Sequence, residues 1–119
     1  MARTAITVQT IPAYGNPLED ISWTAADATN DHQFVNDGRS LLLIKNGHTS
    51  PITTTVVGVA NIRTYNAAPS IDIATTNAKE SIAGPFPTDA FNQAGGIVHI
   101  DLTADTNLEL AVVSITPTP

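Results

Sequence analysis

The sequence contains no cysteine, few aromatic residues and few basic residues, and each shortage excludes a class of function. Without cysteine the chain can form neither a disulfide nor a thiolate metal site, which fits assembly in a reducing cytosol. The five Lys and Arg residues are spread along a chain of net charge −6. Because binding to a phosphate backbone needs clustered basic residues, we expect no nucleic-acid partner.

Long apolar runs are also missing from the sequence. No run approaches the roughly 20 apolar residues that a helix needs to cross a bilayer, so we expect no membrane partner. The opening residues, MARTAITVQT, lack the apolar core of a signal peptide. We therefore expect no export signal.

What the chain has in excess is β-branched residues: Ile and Val together outnumber Leu, and Thr is abundant. Such side chains lose rotamer freedom in helices and fit a pleated sheet. Eight prolines and seven glycines divide the sequence into short pieces, a pattern typical of sandwiches and barrels. We predict an all-β fold: a single-domain antiparallel β-sandwich, jelly-roll-like, with about eight short strands.

The predicted domain spans residues 1–119, with residues 1–3 as a short N-terminal arm and 116–119 as a loose tail. A chain of this length buries about two-thirds of its extended surface, which is enough for one core. One helical turn is predicted at 88–93. Alternating or β-branched runs bounded by turn residues place the strands at 4–10, 20–25, 32–35, 41–44, 53–59, 71–74, 97–102 and 108–115.

Residues 36–60 contain the most hydrophobic run of the chain, LLLI at 41–44, between the turn signals Asp37-Gly38 and Asn46-Gly47. The simplest interpretation is a central hairpin that pairs 41–44 with 53–59. Because 41–44 does not alternate, we predict that both of its faces are covered. A charge at Leu42 or Leu43 is therefore predicted to abolish folding.

The turn at 37–38 has two interpretations. A tight hairpin would place Phe34 opposite Leu41, whereas a longer corner would not pair them. The role of Trp23, the only tryptophan, also has two interpretations. It is either a core or edge anchor or a ligand-stacking platform, as in carbohydrate-binding sandwiches, which would need further aromatic residues nearby.

The sequence offers no catalytic or metal-binding motif. His32, His48 and His99 have no second histidine at ligand spacing, and neither HExxH nor GxSxG occurs, so we expect surface or strand-edge histidines. Loop aspartates occur at 27, 31, 37, 101 and 105, but without EF-hand spacing, which favours a solvated loop face. We predict a protein that is not an enzyme, with no catalytic residue, no metal and no cofactor.

Two segments are candidate contact surfaces for a partner or a second copy. The last strand carries apolar residues on both faces, and such a strand near a terminus is either covered by the chain itself or meets a partner. The first strand begins almost at the N-terminus. The candidate contact residues are Arg3, Thr4, Ile6, Val113 and Ile115.

Three segments resemble small structural proteins of tailed-bacteriophage virions, the group that includes capsid (head) decoration proteins. They are the opening MARTAIT, WTAADATNDHQFVNDGRSLLLIKN, and AGPFPTDAFNQAGGIVHIDLTADTNLELAVVSI, which together cover most of the chain. The order is similar: an extended Thr-rich start, a DGR-LLLIKN core strand, a GPFP corner and a closing strand pair. The resemblance implies an all-β subunit without catalytic residues.

For function, the resemblance implies a protein made in the bacterial host cytoplasm that binds the major capsid protein on the virion surface. It also implies a homo-oligomer, often a trimer, that stabilises the shell. Several decoration proteins use a long N-terminal arm, and here the segment before the first strand is short. Either the strand itself adds to a neighbour's sheet or this chain docks differently; a head–tail or tail component is the alternative within the virion class.

Overall fold

The computed structural model describes residues 3–10, 21–59 and 70–115, and these are nearly all β. The predicted all-β sandwich is confirmed. Residues 1–2 of the predicted arm and the predicted tail at 116–119 lie outside the described residues. The described elements are β1 (Thr4–Ala5), β2 (Val8–Thr10), β3 (Thr24–Ala25), β4 (His32–Val35), β5 (Ser40–Asn46), β6 (Ile52–Val56), β7 (Ile71–Thr75), β8 (Glu80–Ala83), the helical turn α1 (Thr88–Phe91), β9 (Ile97–Leu102) and β10 (Leu108–Ser114).

Two sheets pack face to face. The first has the strand order β1-β4-β9-β6-β7, and the second has the order β2-β10-β5-β8, with β3 also paired to β10. Two pairings are parallel, β1 with β4 and β2 with β10, so the prediction of a purely antiparallel sandwich is wrong in this detail. Long stretches of chain separate the partners of each parallel pair, and such lengths permit the crossover that a short hairpin cannot make.

The predicted central hairpin is also wrong, because β5 and β6 belong to different sheets. The buried side-chain amide of Asn46 stabilises the crossing of the chain from the second sheet to the first. Its Nδ2 donates to Ser50 O at 3.0 Å and to Thr75 O at 2.7 Å. Its Oδ1 accepts the His48 N–H at 2.7 Å. The turn signal at Asn46-Gly47 therefore marks a crossing between sheets rather than a hairpin.

The predicted burial of both faces of 41–44 is confirmed. Leu42 and Ile44 are 0% exposed and face the other sheet, whereas Leu43 lies in a second apolar cluster on the outer face of β5. The corner at 37–38 is the longer of the two alternatives, because β4 pairs with β9 and not with β5. Phe34 therefore has no pairing with Leu41.

The core between the sheets is closed at one end by phenylalanines. The Phe86 ring lies 6.0 Å from Phe34 and 5.4 Å from Phe91, centroid to centroid. Phe86 lies two residues after Gly84, whose φ is +107° and where a Cβ would lie 2.8 Å from the Ser40 carbonyl oxygen, so only glycine fits at 84. The wider core cluster contains Ile6, Phe34, Leu42, Ile44, Ile52, Val56, Phe86, Ala90, Phe91, Val98, Ile100, Leu108, Leu110 and Val112.

Candidate functional site

The three N-terminal candidates, Arg3, Thr4 and Ile6, contact the protein's own body. Arg3 forms a 2.7 Å ion pair with Asp101, and its guanidinium donates to the Ile100 carbonyl at 3.1 Å. Ile6 is buried between the sheets. Because β1 belongs to one sheet and β2 to the other, residues 4–10 connect the two sheets along one side.

The two C-terminal candidates differ in exposure. Val113 is buried and belongs to an outer apolar cluster on the second sheet, with Ile21, Leu43 and Ala111. Ile115 is exposed. Val113 is therefore covered by the chain itself, whereas Ile115 is open to contact with a partner.

Loop aspartates hold distant backbone segments together. Asp105 Oδ2 accepts the Ala28 N–H at 2.9 Å, and Asp31 Oδ1 accepts the Leu102 N–H at 3.0 Å. These carboxylates are half-buried. The prediction of a solvated loop face therefore does not describe Asp31 and Asp105, which link distant backbone segments. Sequence offered no signal for these links, since each partner lies more than 70 positions away.

Asp27 organises the loop between β3 and β4. Its Oδ2 accepts hydrogen bonds from Asn30 Nδ2 at 2.9 Å and from the Thr4 hydroxyl at 3.0 Å. These bonds, the one from Asn30 above all, lower the pKa of Asp27 because they favour the ionised carboxylate. Asp27 therefore ties the first strand to this loop.

His32 is fully buried, so the expectation of a surface or strand-edge histidine is wrong at this position. Its Nε2 accepts the Asp27 N–H at 2.9 Å. A backbone N–H only donates, so Nδ1 must carry the ring proton, which it donates to the Thr4 carbonyl at 3.1 Å. The neutral ring thus joins the first strand to the loop at 27.

The stability of the fold is expected to fall as pH drops below about 6.5, because burial lowers the pKa of His32. The unfolded chain then binds a proton that the folded chain excludes, and linkage removes stability in that window. Neighbouring Asp27 and Asp31 oppose the shift by attracting the proton. Burial and Arg3 also lower the pKa of His99, which adds a change of the same sign.

Urea unfolding at pH 7.5, 6.5 and 5.5 measures this dependence. We expect the midpoint to fall with pH, and the fall to become smaller in His32→Gln. His99→Gln is the matched control and should keep the larger part of the fall, because His99 is only partly buried. The lowered pKa of Asp27 acts separately, below about pH 4. A midpoint that does not change from pH 7.5 to 5.5 would contradict the buried neutral His32.

The outer face of the second sheet has a pocket of about 230 Å³ beside Trp23, lined also by Leu43 and Ile82. The Lys45 ammonium lies 4.5 Å from the Trp23 ring centroid and 3.8 Å from the Glu109 carboxylate. Trp23 is half-buried against the outer apolar cluster, which is the anchor of the first interpretation. The three phenylalanines lie in the core; both tyrosines lie outside the described residues.

In the described part of the chain, no three His, Asp or Glu side chains are grouped as a metal site would require. None of its helices has the length and apolar character to span a membrane. Comparison of the chain with protein-family models, with curated proteins and with solved structures found no match.

Proposed function

We propose that this chain is a non-enzymatic structural protein of a tailed-bacteriophage virion, most specifically a capsid decoration protein. It binds the outer surface of the major capsid shell and stabilises it. It assembles as a homo-oligomer, with a trimer as the expected state, after synthesis in the host cytoplasm. The support from sequence is the ordered resemblance of three segments that cover most of the chain.

The structural observation that supports the proposal best is the use of polar side chains as long-range braces. Arg3 joins the N-terminus to β9, while His32 and Asp27 fasten the first strand to the loop before β4. A protein that clamps neighbouring shell subunits against internal pressure must transmit force without deforming. These contacts fasten the edge strand β1 to the rest of the first sheet, which makes that edge harder to peel away.

Contact with the shell or with another copy is proposed at the exposed rim of the sandwich. Ile115 at the end of β10 has the accessible apolar area that such a contact buries. Arg3 and Thr4 lie at the edge strand β1 of the first sheet, where a neighbour's strand can approach. Ile6 and Val113 stabilise these segments from beneath.

Co-sedimentation with empty expanded shells from the same genome tests the proposal, after light scattering has defined the oligomer. We expect a defined homo-oligomer that binds expanded shells to saturation and binds unexpanded shells weakly. A monomer that stays in the supernatant at every concentration would contradict it. Assembly into a ring that binds only at one vertex would favour a head–tail or tail component.

A carbohydrate-binding module is the other alternative, and the pocket beside Trp23 is the observation in its favour. Such a module would bind polysaccharide through Trp23, and Trp23→Ala would remove that binding. The decoration proposal expects no polysaccharide binding that Trp23→Ala removes.

A further inference from the structure

Strand β8 has an open edge. It pairs with β5 on one side, and no described strand pairs with its other side. An open edge presents unpaired backbone groups, and proteins normally cover or disrupt such edges. β8 also carries Ile82, whose side chain is 65% exposed. The edge is thus both unpaired and apolar.

The hydrogen-bond register shows which groups of β8 are free. Asn46 N–H donates to the Lys79 carbonyl at 3.0 Å, so this pair is hydrogen-bonded across the strands. Hydrogen-bonded and non-hydrogen-bonded pairs alternate in an antiparallel ladder. In the β5–β8 register, Ser81 and Ala83 therefore bond to β5, whereas the N–H and C=O groups of Glu80 and Ile82 point to the open edge.

The same two residues direct their side chains to the outer face. In the register of the two strands, Ile82 lies opposite Leu43 and Glu80 lies opposite Lys45. Leu43 belongs to the outer apolar cluster. The 230 Å³ pocket lies over this corner, between Trp23 and Ile82. A strand added to β8 would therefore place a large apolar side chain beside Ile82, and its tip would reach the pocket.

Charge indicates the composition of the added strand. Glu80 is exposed and lies within ion-pair distance of no described cation. Lys45 lies opposite Glu80 on β5, but its ammonium group forms its ion pair with Glu109. An added strand would place its next outward residue opposite Glu80, two positions from the apolar one, and a basic residue there would complete an ion pair.

A second copy of this chain fits the edge poorly. Of the described edge strands that a copy offers, β7 and β8 carry Asp72 and Glu80, whose charges would repel Glu80. The other two described edge strands, β1 and β2, have no exposed large apolar residue to lie beside Ile82. The occupant is therefore better sought in another protein.

We propose that the open edge of β8 binds an extended segment of another protein, added antiparallel as a strand, with the pattern large apolar residue–x–Lys or Arg. The apolar residue lies beside Ile82 over the Trp23 pocket, the basic residue pairs with Glu80, and backbone hydrogen bonds form with both. This mode is β-augmentation. It rests on the proposed function only in that the shell protein would supply the segment.

A capped peptide, acetyl-Thr-Thr-Leu-Thr-Arg-Thr-Thr-amide, tests the surface without any shell, titrated into the labelled protein and followed by amide NMR. We expect saturable shifts centred on Glu80 and Ile82, and slower solvent exchange of these two amides. A peptide with Glu in place of Arg should bind at least about fivefold more weakly, because its charge repels Glu80. Glu80→Lys should reverse the preference between the two peptides.

Ile82→Lys should abolish binding of the Arg peptide, whereas Val35→Lys should not change it. Val35 is a matched control because its side chain is 66% exposed and lies on the other sheet. No shift at β8, or equal binding of both peptides, would overturn the proposal. Concentration-dependent protection of the Ile82 amide without peptide would also overturn it, in favour of a second copy. Shell binding with no peptide binding would remove this surface but leave the proposed function.

Discussion

Leu42→Asp is expected to leave the chain unfolded, whereas Leu43→Asp should give a folded but weakened protein. The sequence pattern predicts loss of folding for both, since LLLI shows no alternation. In the structure Leu42 is 0% exposed between the sheets, while Leu43 is 9% exposed on the outer face. A carboxylate at 42 would be buried without hydration. A carboxylate at 43 can turn past Trp23 toward solvent and toward the Lys45 ammonium.

The two variants form their own control, because they introduce the same charge one position apart. Burying an ionised group without a partner costs several kcal/mol or more, and a domain of this size has about 5–15 kcal/mol of stability. Circular dichroism and urea unfolding distinguish the outcomes. Equal stability of the two variants would contradict the assignment of Leu42 to the inner face and Leu43 to the outer face of β5.

Phe86→Ala is expected to cost about 3–5 kcal/mol, the range for removing a buried aromatic side chain. Phe86 is fully buried and contacts both Phe34 and Phe91, so its removal leaves a cavity between β4 and α1. A side-chain amide holds the backbone at that end in place: Asn36 Nδ2 donates to the Phe86 carbonyl at 3.0 Å. Because this bond fixes the chain, the cavity should not collapse.

Urea unfolding of Phe86→Ala and of Phe86→Leu measures this cost. Phe86→Leu keeps most of the apolar volume and should lose clearly less stability than Phe86→Ala. Val35→Ala is the surface control, with a change within about 0.5 kcal/mol. A loss below about 1 kcal/mol in Phe86→Ala would mean that Phe86 does not close the core.

The fold class was predictable because it depends on composition and on short-range alternation. Val98 and Ile100 face the core as their spacing predicted, and the closing strand β10 does the same with Leu108 and Leu110. The pairing of strands was less accessible. Asn46-Gly47 carries the signal of a hairpin, but the buried amide of Asn46 binds the Thr75 carbonyl of the opposite sheet, and that partner is 29 positions away.

The candidate contact site was predictable only in part, for the same reason. The sequence pattern left open whether Val113 and Ile115 are covered by the chain itself, and the structure buries Val113 but exposes Ile115. The fixed position of Arg3 depends on Asp101, and the burial of His32 depends on the Asp27 N–H and the Thr4 carbonyl. Ile82 looked like any apolar residue in a short segment. Only the register of β8 against β5 shows that the backbone groups of Ile82 point to an open edge and its side chain to the outer face.

Cryo-electron microscopy of empty expanded shells saturated with this protein tests whether it decorates the shell. We expect additional density on the outer surface at symmetry-equivalent positions, with a two-sheet subunit that fits the sandwich and bridges neighbouring shell proteins. Shells that carry no additional density after saturation, or density confined to one vertex, would contradict a decoration protein.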